Sequence, residues 1–232
     1  MILSLESTIQ VVCSERLCQE SEVLHQMKLL TNTDSDPIPI PKFVRRESID
    51  FIMKTLEGEG DNFNLVDIRF LLDTVKVSDF FGIQKLTTSL HSVIKGKVTD
   101  LNCFYIFRLV NSSPCFQVIT EHCLKIMMVN INEAYRNNEY SESVPDPFQE
   151  YYIVMHLHEM YMMLSYSRDT TTFTKILIFR HWWNSNKRTE SRDEVLKFLH
   201  YLNEDACYTP RQQIKFMRQI RDKIINELNQ IH

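Results

Sequence analysis

The spacing of the hydrophobic positions changes near residue 47, and this change predicts two kinds of secondary structure. Before it, apolar residues flank the polar segment SLEST in the manner of two short strands joined by a turn. After it, apolar residues recur three or four positions apart, first at Ile49, Ile52, Met53 and Leu56. Further stripes run from Leu65 to Val75 and from Ile83 to Ile94. Strands followed by a succession of short helices favour an α+β domain.

Three prolines interrupt the chain between these two regions. A helix precedes them, with one apolar face formed by Val23, Leu24, Met27 and Leu30. Pro37, Pro39 and Pro41 each lack a backbone donor and push the preceding residue out of the helical region. The sequence therefore predicts an extended piece here, which lies on a sheet edge or outside the sheet.

Glycine marks the predicted ends of several helices. The chain has only four glycines, and none follows Gly96. Gly82 predicts a tight turn between two amphipathic helices, and Gly96 predicts a second break before a helix capped by Thr99. The long glycine-free remainder suits helices better than tight hairpins.

The pattern after residue 98 is helical throughout. The helix after Thr99 carries apolar residues on most faces, which predicts a central position. Ser113 and Pro114 have the residue types of a helix cap and first turn, and Thr209 and Pro210 repeat that signature. Further helices are predicted at 148–166, at 173–184 and from residue 193 onward.

Composition and charge exclude several classes of function. The 232 residues are 44% hydrophobic and 24% charged, with a net charge of −4, which is ordinary for a globular protein. Neither half has the basic excess of a nucleic-acid-binding surface. We find neither a signal-peptide pattern nor an apolar stretch long enough to span a membrane. The six cysteines lack C-x-x-C pairing, so we expect buried thiols in a cytosolic or nuclear protein, without a metal or another cofactor.

Two polar clusters have structural explanations as well as functional ones. His156, His158 and Glu159 are metal-ligand types, but residues two apart on a helix point to different faces, and H-E-x-x-H is absent. A basic series lies near the carboxyl end, at Arg211, Lys215, Arg218, Arg221 and Lys223. It suits an acidic partner or phosphates, although a solvated helix face explains such a series more often.

Two apolar clusters likewise have both a structural and a functional explanation. The run YYIVMHLHEMYMMLSY forms either an adaptable binding groove or, more commonly for such a run, the core side of a buried helix. Trp182 and Trp183 are adjacent and cannot share a face. Their adjacency predicts one tryptophan in the core and the other at the rim of a pocket or interface.

No catalytic pattern stands out in the sequence. The chain contains no G-x-S-x-G, no G-x-G-x-x-G and no phosphate loop, and its few glycines argue against close backbone approach to phosphate. A cysteine and a histidine brought together only by folding would leave no such pattern. An enzyme whose site is assembled from dispersed residues is therefore our third hypothesis, behind two non-catalytic ones.

Several segments together resemble a known protein-binding fold. The run from DPIPIPKF through ESIDFIMKTL to VSDFFGIQKL and VIKGKVTD resembles the BTB/POZ fold, and within it the S-phase kinase-associated adaptor and elongin C branch. The later segments LNCFYIFRLVNSSPCFQVITEHCLKIM and ILIFRHWWNSNKRTESRDEVLKFLHYL look like the BACK helical region of Kelch-like adaptors. The resemblance implies an α+β BTB/POZ-like domain at 1–97 and an all-α BACK-like domain at 98–232.

The resemblance also implies a binding surface. In the adaptor branch, the residues corresponding to Asp79 and Phe80 belong to a surface that contacts a cullin scaffold, and the later helices present a substrate protein. Consecutive aromatic residues at a helix end do not point into the same core, so one of Phe80 and Phe81 is expected at the surface as an anchor. The alternative is that both belong to the core. The hydrophobic-x-Glu motif of cullin-binding BTB adaptors is absent, and no Kelch repeats follow. The swapped segment of dimeric BTB proteins is also missing, so a homodimer has less support.

These observations lead to two main functional hypotheses. The first is a non-catalytic adaptor that bridges a target protein to a cullin-type ubiquitin ligase. The alternative is a self-associating scaffold of a regulatory complex unrelated to ubiquitin. They differ chiefly in which protein the chain binds.

Overall fold

The structure is a computed structural model that describes residues 2–5, 9–30, 37–59, 63–137, 155–166, 170–186, 191–204 and 211–231. The chain divides into two units. One contains residues 1–98 and 112–119, and the other contains residues 99–111 and 120–232. The segment 112–119 therefore packs with the first unit, although part of the second unit precedes it. The predicted division into domains 1–97 and 98–232 stays a prediction.

Helices dominate the described residues, and this corrects the predicted fold class. They account for 78% of these residues and include eleven α-helices, beside one small three-stranded sheet. The prediction of an α+β BTB/POZ-like domain followed by an all-α BACK-like domain is therefore wrong. The strands have only four, four and two residues, so the sheet is too small to define the architecture of the first half.

The sheet has a hairpin and one added edge strand. Strands β1 (Ile2–Leu5) and β2 (Ile9–Val12) pair antiparallel, and β3 (Ile38–Pro39) pairs parallel to β1. The strand order is β2-β1-β3, which places β3 on an edge. Pro39 has no N–H to donate, which suits an edge strand, and the Ile40 N–H that follows it donates to the Ser4 carbonyl at 3.0 Å. The predicted hairpin and edge position are confirmed.

The described residues of the first unit form five α-helices: α1 (Glu15–Glu20), α2 (Glu22–Leu30), α3 (Arg46–Glu57), α4 (Ile68–Phe80) and α5 (Gln84–Lys97). Two 3-10 turns accompany them, at Phe63–Leu65 and Pro114–Phe116. The core of this unit includes Leu3, Leu17, Leu24, Ile49, Ile52, Leu71, Val75, Leu90, Ile94 and Phe116. The helical stripes predicted for α3 and α5 are confirmed.

Two details of the first unit differ from the prediction. Leu65 lies in a 3-10 turn before α4 and is 86% exposed, so it does not belong to the predicted stripe. Helix α5 continues through Gly96 to Lys97, because Gly96 keeps a negative φ and nothing forces a break. Gly58 and Gly82 are the described glycines with positive φ, and each ends a helix.

The remaining described helices are α6 (Cys103–Val110), α7 (Gln117–Asn137), α8 (Leu157–Ser165), α9 (Thr172–Asn186), α10 (Arg192–Glu204) and α11 (Arg211–Ile231). Thr99 is not the cap of α6, because Asn102 occupies that position and accepts a hydrogen bond from the Thr99 N–H at 2.7 Å. Helix α6 is also not apolar all round, since Tyr105 and Leu109 are exposed. The predicted cap at Thr209 and Pro210 lies outside the described residues.

Trp182 and Trp183 are both buried, which corrects the prediction that one of them lies at a rim. Their exposed fractions are 0% and 1%. The indole N–H of Trp182 donates to the Met155 carbonyl at 3.0 Å, and that of Trp183 donates to a Glu227 carboxylate oxygen at 3.0 Å. The side chains point to different faces as expected, but α9 is covered on both faces by other parts of its unit.

Candidate protein-binding surface

The predicted site residues Asp79 and Phe80 are the last two residues of α4, and the turn that follows fixes their backbone. The Ile83 N–H donates to the Ser78 carbonyl and the Gly82 N–H donates to the Asp79 carbonyl, each at 2.9 Å. This is the hydrogen-bond pattern of a Schellman motif. It needs a left-handed residue after the helix, and Gly82 supplies one with φ of +68°.

The turn after Phe80 is also held from behind by the start of α2. The Ser21 hydroxyl donates to the Phe81 carbonyl at 2.6 Å and accepts the Leu24 N–H at 3.0 Å. A Cβ on Gly82 would lie 3.4 Å from the Cβ of Glu22, which shows how closely the two segments approach. Phe81 is 1% exposed and anchors the turn in the core. The backbone that carries Phe80 is therefore well fixed.

Phe80 and Phe43 form a pair of aromatic side chains at the surface, which we call the aromatic surface. Their ring centroids are 5.5 Å apart with planes at 89°, an edge-to-face arrangement. Phe43 is 49% exposed and Phe80 is partly exposed. Phe80 also contacts buried Phe81, with centroids 5.2 Å apart. Of the two arrangements left open by the sequence, the structure has Phe81 in the core and Phe80 at the surface.

Charged side chains lie beside the aromatic surface, on α4 and on the segment before α3. An Arg45 nitrogen is 3.6 Å from an Asp73 carboxylate oxygen, and Lys76 Nζ is 4.0 Å from the other oxygen. Asp73, Lys76 and Phe80 follow one another along α4 at helical spacing. Apolar anchors beside a polar border are the arrangement found in protein-binding surfaces.

Asp79 is exposed and lies near the segment 112–119 of the same unit. Its carboxylate acts electrostatically on His91 of α5 and on Cys115. Phe116 from this segment is fully buried, and Lys76 Nζ lies 5.7 Å from the centre of its ring. Because successive helix residues point about 100° apart, Asp79 lies on a different side of α4 from Phe80, although the two adjoin in sequence.

One region of the first unit contains a cysteine, a histidine and an aspartate, the residue types of a nucleophilic site, at Cys115, His91 and Asp79. Their pKa shifts are not those of such a site. Burial raises the pKa of the Cys115 thiol, and the nearby Asp79 charge raises it further. Burial lowers the pKa of His91, whose ring bonds to the Cys115 backbone. A nucleophilic cysteine needs a lowered thiol pKa, so this arrangement does not activate Cys115.

His156 and His158 are brought together by the structure, contrary to the expectation from helical spacing. Their rings are stacked, with centroids 5.8 Å apart and planes at 12°, because His156 has extended backbone before α8 begins. Glu159 is 3% exposed and its carboxylate accepts a hydrogen bond from the His156 N–H at 2.8 Å, so this carboxylate caps the first turn of α8. In the part of the chain that the structure describes, no group of three or more metal-ligand residues is suitably placed.

The methionine-rich run belongs to the core where it is described. Met155, Met160 and Met163 are almost fully buried, whereas Tyr161 of the same run is 42% exposed. Tyr161 borders an open pocket of about 540 Å³, which is lined by His156, Leu157, His158, Tyr161, Glu194, Lys197 and Phe198. Lys197 and Glu194 give the pocket one charge of each sign, so it has no clear electrostatic preference.

The basic series lies mainly on exposed positions of α11. Lys215, Arg218 and Lys223 are exposed, and Arg221 pairs with its neighbour Asp222 at 2.9 Å. The side chain of Arg211 lies outside the described residues. These positions fit the solvated helix face that the sequence favoured.

Comparison with known proteins finds no family model, curated protein or solved structure that matches this chain. Among the described residues, no helix combines the length and apolarity needed to cross a membrane. Sequence reasoning missed Phe43, which lies outside every helical stripe. The sequence feature that could have identified Phe43 is the run KFVRR, in which a large apolar residue lies among basic residues just before a predicted helix.

Proposed function

We propose that this protein is a non-catalytic adaptor that binds another protein through the aromatic surface. The observation that carries this proposal is the edge-to-face pair of exposed Phe43 and partly exposed Phe80, with the backbone of Phe80 fixed by the Gly82 turn. Aromatic residues dominate the binding energy of many protein interfaces. An anchor whose backbone is already ordered loses little further conformational entropy when it binds.

The partner class in this proposal is a protein, and a cullin is one named candidate. The cullin and the ubiquitin ligase were implied by the BTB/POZ resemblance, and the mostly helical structure contradicts the α+β fold that belonged to this resemblance. The proposal therefore rests on the surface itself. The roles of Asp79 and Phe80 in binding stay a prediction.

The test is affinity capture with the tagged full-length chain, followed by a direct binding measurement with the purified partner. Phe43→Ala and Phe80→Ala should each weaken binding by roughly thirty-fold, because truncating an aromatic hot-spot residue costs about 2 kcal/mol. Tyr105→Ala is the matched control, since Tyr105 is also an exposed aromatic residue, at 41%, but lies in the other unit.

The possible results separate the hypotheses. Recovery of a cullin would support the ubiquitin-ligase adaptor, and recovery of a different protein through the same two phenylalanines would support a general adaptor. A defined homo-oligomer that Phe43→Ala dissociates would instead favour the self-associating scaffold. If binding survives both phenylalanine variants unchanged, the aromatic surface is not the interface. Urea unfolding of each variant distinguishes lost binding from a lost fold.

A further inference from the structure

Cys13 and Cys18 are neighbouring thiols at the junction of β2 and α1. Cys13 follows the last residue of β2 and is 6% exposed, whereas Cys18 lies within α1 and is partly exposed. Cys13 directly precedes Ser14, the cap of α1, and Cys18 is the fourth residue after that cap, two positions whose side chains pack together at helix starts. The pair therefore places a thiol that solvent reaches beside a second, buried thiol.

The backbone around the two thiols brings them together. Ser14 is the cap of α1, where its hydroxyl accepts the Leu17 N–H at 3.2 Å and its carbonyl accepts the Cys18 N–H at 3.2 Å. These bonds turn the chain back within one helical turn after Cys13. Leu17, which lies between Cys13 and Cys18 in the sequence, is fully buried and fixes the orientation of α1.

We propose that Cys13 and Cys18 are a redox-sensitive dithiol that a peroxide converts to an intramolecular disulfide. In the first step the Cys18 sulfur attacks the peroxide, so an S–O bond forms, the O–O bond breaks, and an alcohol or water leaves. In the second step the Cys13 sulfur attacks the Cys18 sulfenic acid, so the S–S bond forms and the oxygen leaves as water with the Cys13 proton. The peroxide takes up the two electrons that the two sulfurs lose.

The exposure of each thiol assigns the order of these steps. An oxidant in solution reaches Cys18 first, because Cys13 is buried. Burial, together with the adjacent Cys18, raises the pKa of Cys13 to about 12, so at neutral pH it is almost entirely a thiol. The attacking species is the thiolate, and its population rises about tenfold for each pH unit below that value. Burial is the larger cause and persists after Cys18 is oxidised, so disulfide formation from the sulfenic acid should be faster at pH 9 than at pH 7.

Other thiols in the chain provide internal controls. Cys103 and Cys123 also influence each other but are both 0% exposed, so an oxidant should not reach them in the folded protein. Cys115 is partly exposed, but its thiol is paired with the Ser113 hydroxyl at 3.2 Å. It has a hydroxyl where Cys18 has a second thiol.

The experiment uses the folded full-length chain with hydrogen peroxide, followed by alkylation and tryptic mass mapping. Trypsin cleaves after Arg16, between the two cysteines, so the disulfide appears as two linked peptides. We expect this link in the monomer at every protein concentration, and we expect dithiothreitol to remove it. Cys18→Ser should abolish the link, and Cys13→Ser should leave a sulfenic acid at Cys18 that dimedone traps.

Three results would overturn the proposal. One is oxidation of Cys18 alone in the unmodified sequence, with Cys13 still reduced at pH 9. Another is a link between Cys18 and a cysteine other than Cys13, or between two chains. The third is a dithiol that does not react with the peroxide before the protein unfolds, because Cys18 would then be inaccessible in the folded protein.

Discussion

His91 is one of two described residues with a buried side-chain polar atom that lacks a hydrogen-bond partner, and Ser48 is the other. The His91 Nε2 atom is buried without a hydrogen-bond partner, whereas the ring bonds through its other nitrogen to the Cys115 backbone. Asp79, on α4, and Lys95, on its own helix, are the charges that act on it, and Cys115 lies beside it on the segment 112–119. Protonation would add a second N–H at Nε2 with nothing in the described residues to accept it.

We expect this histidine to make the first unit less stable in mild acid. Burial lowers its folded pKa below the ordinary value of 6.5, so between these two values the unfolded chain binds more protons than the folded one. Stability should therefore fall as the pH drops through 6.5 and should be unaffected by His91 above it. His91→Asn retains a donor near the position of the bonded ring nitrogen and removes the titration.

Urea unfolding at pH 7.5 and pH 5.5 checks this prediction. His91→Asn should lose less stability on acidification than the unmodified chain. His25→Asn is the control, because His25 is exposed on α2. An identical loss of stability in all three chains would contradict the assignment.

At the scale of elements, the Gly82 turn joins α4 and α5 and determines where Phe80 is presented. Sequence predicted this turn correctly, because a single glycine between two apolar stripes favours a left-handed cap. It failed at Gly96, where the same residue type lies inside α5. Glycine permits a break, but the packing of the helix around Leu90 and Ile94 decides whether one occurs.

The two glycines provide a matched pair of substitutions. Gly82→Ala should destabilise the protein by about 1 to 2 kcal/mol, because a Cβ is strained at φ of +68° and approaches Glu22. Gly96→Ala should stabilise it by about 0.5 to 1 kcal/mol, because alanine favours a helix and its Cβ meets nothing within 4 Å.

Thermal or urea unfolding measures both changes, and the opposite signs are the decisive feature. Similar effects of the two alanines would mean that Gly82 does not need its left-handed conformation. Gly82→Ala should also weaken partner binding by less than Phe80→Ala does, since it shifts the anchor without removing it.

At the scale of the whole molecule, both tryptophans of the chain belong to the second unit. Because each is buried and hydrogen-bonded, intrinsic fluorescence should report that unit alone. Trp182→Phe and Trp183→Phe should each leave one tryptophan with blue-shifted emission that iodide in solution does not quench. A quenched, red-shifted signal in either variant would restore the original prediction of one tryptophan at a rim.

The sequence by itself determined the local elements in which one signal dominates. The stripe of Ile49, Ile52 and Met53 predicted α3, the prolines around Ile38 predicted an extended piece at a sheet edge or outside the sheet, and Gly82 predicted the turn. In each case the deciding physics is local, because helical period, a missing N–H and a positive φ act within a few residues. The hypothesis that Phe80 contributes to binding also came from the sequence and stays a prediction.

Only the tertiary structure decided the fold class, the burial of both tryptophans, and the neighbours of Phe80. These depend on contacts between residues far apart in the chain, such as Phe43 with Phe80 or Trp183 with Glu227. The strands were predicted at the right places, but the architecture depends on how long the strands are and how many there are. The alternating pattern of a four-residue strand determines neither its length nor the number of its neighbours. The pairing of Ser21 with the Phe81 carbonyl likewise has no signal in the sequence, because it exists only after α1, α2 and α4 have packed.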